Sequence, residues 1–132
     1  MIFVDTSFWV AYRNRRDAHH DDAVQLMTSH GDAGLVTTNH VRGETWTYLR
    51  RRAGHRSAVG FLDALATTPR VSIEAVDQAT EDQALKWLRQ HDEREYSFVD
   101  ATSFVLMRRH RLHQALAFDG DFGAAGFVEL RP

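Results

Sequence analysis

Four acidic side chains stand where chemistry is possible. Asp5 follows the apolar run Ile2-Phe3-Val4, and Asp119 follows Ala115-Leu116-Ala117-Phe118. Asp100 is the only charged residue between Phe98 and Met107. Glu44 falls in the first turns of a helix predicted from Asn39 to about Ala53, roughly 60° from Val41 and about 40° from Tyr48 around the helix axis. Each position also has a plain structural reading. Asp5 or Thr6 would cap a helix, Ser97-x-x-Asp100 would form a capping box, Asp119-Gly120 would make a turn, and Glu44 would sit on the surface. Capping alone does not account for the apolar character of the rest of the Asp100 helix, since an unpartnered buried carboxylate costs several kcal/mol. Brought together, such carboxylates repel by roughly 4 kcal/mol per pair at about 4 Å and an effective dielectric of about 20. The one lysine, Lys86, lies near none of them in the sequence. A hard divalent cation, Mg2+ or Mn2+, would relieve that repulsion through oxygen ligands. An all-carboxylate site of this kind suits metal-assisted phosphodiester chemistry, in which the ion generates hydroxide and clamps the leaving oxygen.

The elements that must position these acids follow from the residue pattern. Ile2–Val4 reads as a short buried strand, followed by a helix that starts near Ser7 and Phe8 and then a basic connection over Tyr12–Ala18. Ala23, Leu26, Met27 and His30 make one face of a helix over His20–His30, with Asp21 and Asp22 at its positive end. Leu35–Thr38 is a second strand, and Asn39 suits the N-cap of the helix ending at Gly54. Ala58, Phe61, Leu62 and Leu65 set a further helix, stopped by Pro69. Val71–Val76 alternates as an edge strand does, and Asp77 or Thr80 caps a charged helix reaching about His91. After a polar connection come the apolar helix Ser97–Arg111, a strand Ala115–Phe118, a glycine-rich turn DGDFGAAG and a last strand Phe127–Leu130. Strands alternating with helices predict a parallel sheet covered on both faces. Ligands in such sheets bind beyond the carboxyl ends of the strands, where Asp5 and Asp119 are expected.

Composition narrows the choice of function. A chain of 132 residues, with 43% hydrophobic and 26% charged residues, suits one ordinary globular domain. Its net charge of −2 predicts neither a polyanion-coating protein nor a membrane-surface one. The absence of cysteine excludes disulfides, thiolate zinc sites and a cysteine nucleophile. No apolar segment approaches membrane-spanning length and no basic leader precedes Asp5, so no membrane association and a cytoplasmic location are the expectation. Arg13, Arg15 and Arg16 are candidates to hold RNA phosphates; the triplets Arg50–Arg52 and Arg108/Arg109/Arg111 also suit solvated helix ends. His19-His20 and His110-x-x-His113 are the tight histidine pairs, but neither carries the glutamate of a zincin motif. His20 instead suits a staple for the second helix.

The segments VDTSFW, HVRGE, SFVDATSF and AFDGDF, in that order along the whole chain, resemble the four acidic motifs of PIN-domain nucleases. A lone domain of this length is similar to the VapC-type toxins of bacterial toxin–antitoxin pairs. The resemblance implies a three-layer α/β/α fold with a five-stranded parallel sheet in the order 3-2-1-4-5, one nuclease domain spanning residues 1–132. It further implies an endoribonuclease dependent on one or two Mg or Mn ions, an RNA substrate, a homodimer and a small inhibitory antitoxin. Carried onto this sequence, catalysis and metal ligation fall to Asp5, Asp100 and Asp119, with Glu44 as ligand or water-positioner. Ser7 would support the ligands, and Asp121 occupies a variable place in the last motif. A PIN nuclease of RNA processing, or an acidic-pocket domain that signals or binds RNA without cutting, stands as the alternative. A haloacid-dehalogenase-like phosphatase would want an acid where Ser7 stands. A receiver-like domain would want a lysine after its last strand, where this chain has none.

Overall fold

The computed structural model describes all 132 residues. Five short strands, β1 (Ile2–Val4), β2 (Leu35–Thr38), β3 (Val71–Glu74), β4 (Gln114–Leu116) and β5 (Val128–Glu129), form one parallel sheet in the order β3-β2-β1-β4-β5. Phe3 pairs with Val36 on one side and with Ala115 on the other, so β1 is the central strand. Its three residues are all buried, as a strand with helices on both faces requires.

The connections are α1 (Thr6–Arg13) and α2 (His20–Ser29), then α3 (Asn39–Arg52) and α4 (His55–Thr67). After β3 come α5 (Gln78–Gln90) and α6 (Phe98–Arg109), and α7 (Asp121–Ala124) joins β4 to β5. Right-handed crossovers, the rule for parallel strands, put α1–α4 on one face and α5–α7 on the other. Accordingly α1 packs on α2 and α3, α3 on α4, and α5 on α6. The direction of winding reverses between β1 and β4. That reversal opens a crevice at the carboxyl ends of these two strands.

The core is built from both faces of β1. Phe3 stacks on Phe122 at 5.8 Å, and Phe122 meets Phe104 edge-on at 4.9 Å. Across the sheet, Trp9 lies 5.8 Å from Phe61. No helix is long and apolar enough to cross a membrane.

Several boundaries differ from the sequence expectation, each for a local reason. Thr38, not Asn39, caps α3: its backbone stays extended and its hydroxyl accepts from Val41 N–H at 3.0 Å. The Asn39 side chain instead accepts from Val76 N–H at 2.8 Å, beyond the end of β3. Tyr12 and Arg13 belong to α1 rather than to the basic connection. β4 ends at Leu116 because its partner β1 gives way to α1; Phe118 N–H then turns to Ser7 Oγ at 3.0 Å. The glycine-rich turn holds a one-turn helix, α7, which drives Phe122 fully into the core.

Candidate active site

Asp5 emerges from β1 and serves two purposes at once. Its backbone N–H donates to Leu116 carbonyl at 3.0 Å, continuing the sheet, and its carboxylate caps α1 by accepting from Ser7 N–H at 3.2 Å. Ser7 Oγ–H donates to the same carboxylate at 2.8 Å. Because Ser7 Oγ also accepts from Phe118 N–H, one hydroxyl ties the ends of β1 and β4 together.

Asp100 likewise combines the two readings that its position allowed. Its carboxylate accepts from Ser97 N–H at 3.0 Å while Ser97 Oγ accepts from Asp100 N–H at 2.9 Å, a complete capping box. The same carboxylate faces Asp5 and Asp119. Oxygens from Asp5, Asp100 and Asp119 all lie within 4.8 Å of one another. Asp5 is only 2% exposed and Asp100 only 6%, whereas Asp119 sits at the rim. The structure therefore brings together three of the four predicted acids.

Glu44 lies on the wall of the same cleft, outside that trio. The cleft encloses about 400 Å3 and is also lined by Ser7, Asp17, His19, Arg52, Phe118 and Asp121. Asp121 is held by Arg94, whose Nε donates to it at 2.7 Å, and its backbone N–H donates to Asp119 at 3.1 Å. Arg94 comes from the polar connection before α6, and no signal in the sequence marked it. Arg13 does not reach this cleft; it lines a smaller apolar groove with Trp9, Phe61 and Leu65. Arg15 and Arg16 are exposed on the turn that carries Asp17 and His19 to the cleft. Arg52, the last residue of α3, is the one arginine or lysine on the lining, set 4.7 Å from the Tyr48 ring. The Arg50–Arg52 run was visible in the sequence, but not which member turns inward. Thr6 Oγ1 is buried beside the cleft without a hydrogen-bond partner.

The cluster is electrostatically unrelieved. Burial holds the Asp5 carboxyl well above the usual carboxylate range, Asp119 and Asp100 raise it further, and the two Ser7 hydrogen bonds oppose the rise. Burial likewise pushes Asp100 up to about 7 against its Ser97 bond, with Asp119 and Asp121 adding to the effect. Asp119 is raised too, first by burial. Three crowded carboxylates, two of them buried, fit a hard divalent ion as their partner.

An open parallel sheet with three acids gathered at its switch point defines an α/β/α protein built around an acidic cleft. A PIN domain profile matches residues 2–128, and the chain belongs to the PIN-domain family. It is 56% identical over 132 residues to the 23S rRNA-specific endonuclease VapC20 of Mycobacterium tuberculosis, in strain CDC 1551 / Oshkosh and in strain ATCC 25618 / H37Rv. Each match covers 100% of this chain and 99% of the relative. The crystal structure of the M. tuberculosis VapC20, described as a Sarcin-Ricin loop cleaving toxin, superposes with a TM-score of 0.94 at 55% identity, covering both chains fully. Likeness of that depth and extent supports a ribonuclease toxin function for this chain.

Proposed function

We propose that this chain is a single-domain endoribonuclease toxin, residues 1–132, that cuts a ribosomal RNA phosphodiester bond with one or two Mg or Mn ions. The observation that carries this reading is the trio Asp5, Asp100 and Asp119, whose oxygens fall within 4.8 Å at the sheet's switch point. These three would hold the ion, with Glu44 on the cleft wall as a further ligand or as the group that orients water. When bound, the ion supplies an activated water and charge neutralisation at the phosphate. Ser7 fixes the Asp5 carboxylate through two hydrogen bonds, so the cage is in place before the ion arrives. Asp121, neutralised by Arg94, shapes the rim beside Asp119. Arg52 on the lining, with Arg15 and Arg16 exposed on the turn before Asp17, would meet the RNA backbone.

A toxin of this kind requires restraint, and a small antitoxin protein is the partner we assign, with a homodimer as the working assembly in the cytoplasm. The test is cleavage of an RNA hairpin bearing the sarcin–ricin loop, the element named for the M. tuberculosis relative. Wild type cuts at one position in Mn2+ or Mg2+ and stops with EDTA, whereas a folded Asp100→Asn variant leaves the hairpin intact. Cleavage that persists in EDTA would defeat the proposal.

A further inference from the structure

We infer that His19 and Phe118 form a stacking platform for one unpaired RNA base next to the scissile phosphate, an assignment that rests on the endoribonuclease reading above. Phe118 directly precedes Asp119, and its backbone N–H is anchored to Ser7 Oγ at 3.0 Å, the hydroxyl that also binds Asp5. Its ring is therefore fixed one residue from the carboxylate trio. The His19 imidazole lies on that ring at a centroid distance of 4.6 Å and an interplanar angle of 4°.

The backbone under His19 is equally constrained. His19 N–H donates to the Asp17 carboxylate at 2.9 Å, and the carbonyl of His19 accepts from Ala23 N–H at 2.9 Å. The neighbouring His20 is turned the other way, with Nδ1 bonded to Ala11 carbonyl at 2.8 Å. The two adjacent histidines thus do separate jobs and do not share an ion. The His19 ring nitrogens have no hydrogen-bond partner in the chain, no second aromatic ring stacks on it, and the residue is exposed at the cleft. Phe118 is steadied from elsewhere by Phe8 at 5.7 Å and by the Arg131 guanidinium at 5.3 Å.

The charge balance of the cleft says why a flat apolar face is needed there. Its lining carries seven carboxyl groups against the single lining arginine Arg52, and only Asp121 among them has an arginine partner, Arg94. Such a wall repels RNA phosphates wherever no cation intervenes. Base stacking on an aromatic ring is indifferent to that charge, and unpaired RNA bases are commonly held in this way. A base laid on His19 would be held beside the residue that precedes Asp119 by contacts that do not ask the acidic wall to bind an anion.

The test compares His19→Ala with His19→Phe on the sarcin–ricin hairpin, under steady-state conditions in Mn2+. Loss of one stack raises KM by about 5- to 100-fold with kcat little changed, and the phenyl ring restores KM. A second arm uses hairpins with 2-aminopurine at each unpaired loop position in turn, bound to Asp100→Asn protein. One position should be quenched, and adding His19→Ala should abolish the quenching. Unchanged KM in His19→Ala, or a His19→Phe variant as impaired as His19→Ala, would overturn the platform. If wild type cuts no RNA while the His19-dependent quenching persists, the nuclease reading falls and the platform stands. If neither cleavage nor quenching is seen, the platform falls as well.

Discussion

Replacing Asp100 by Asn separates the electrostatic cost of the cluster from the catalytic role proposed for it. Asp100 is 6% exposed, and its carboxyl titrates at about 7 instead of 3.8, because of burial first and of Asp119 and Asp121 besides. A folded-state value above the unfolded one means that the folded chain binds the extra proton between those limits. The contribution to stability is therefore intact below about pH 4, falls as pH rises through the window from 3.8 to about 7, and stays lost above it. The whole interval corresponds to roughly 4 kcal/mol. Water in the open cleft screens part of this, and a negative charge at the N-terminus of α6 is itself worth about 0.3–1 kcal/mol. An Asn side chain keeps the oxygen that accepts from Ser97 N–H, so the capping box survives. The expected gain for the ion-free variant is about 1–3 kcal/mol at pH 8, or about 3–10 °C in Tm. Thermal unfolding followed by circular dichroism in EDTA, from pH 4 to 8, measures it: the two proteins converge near pH 4 and separate above pH 7. The same preparation should cleave no RNA in Mn2+. A variant that melts at or below wild type at pH 8, or that cuts normally, would refute the reasoning.

Mn2+ should stabilise wild type by mass action, by about 2.7 kcal/mol at 100 times its dissociation constant, and Asp100→Asn should respond far less. A flat titration of wild-type Tm against Mn2+ would count against the carboxylate trio as the ion site. Because Asp5, Asp100 and Asp119 are all shifted toward the protonated form, ion binding at pH 7 should release protons and tighten as pH rises; calorimetry in buffers of different ionisation enthalpy reads this directly. Ser7→Ala removes two interactions, the hydroxyl's bond to Asp5 and the acceptor for Phe118 N–H. It should cost about 1–3 kcal/mol in denaturant unfolding and move the rising limb of the pH–rate profile upward, since the lost bond favoured the ionised Asp5. Phe122→Ala should cost about 3–5 kcal/mol by emptying the space between Phe3 and Phe104.

What the sequence disclosed and what it hid divide along physical lines. Strands of three or four residues ending in an acid are a local signal, so Asp5 and Asp119 could be placed at the sheet edge without coordinates. The sheet's parallel character followed from alternation, because short strands separated by helices leave few other arrangements. The α7 helix was hidden because Gly120 and Gly123 argue against helix locally; burial of Phe122 between two other rings overrides that preference. The Arg94–Asp121 pair joins residues 27 apart in sequence, and no periodicity encodes a contact of that kind. His19 was visible only as half of a histidine pair. The role proposed for it rests on a ring just beyond the end of β4, almost a hundred residues away.

Capping leaves the same carboxylates free for the catalytic role proposed for them. Asp5 caps α1 and Asp100 sits in the first turn of α6, so both acids stand at the positive ends of helices. Each placement offers about 0.3–1 kcal/mol, against repulsion of several kcal/mol per close pair within the trio. Helix dipoles alone therefore cannot hold three ionised carboxylates in this space. The cleft lining has no lysine, its Arg52 forms no ion pair with the trio, and Arg94 is engaged with Asp121. What remains is proton uptake, which is the direction in which all three groups are shifted, or a cation. The fold thus pre-assembles three acids whose carboxyls all lean toward the protonated form, and a divalent ion at the proposed site would bind in competition with those protons.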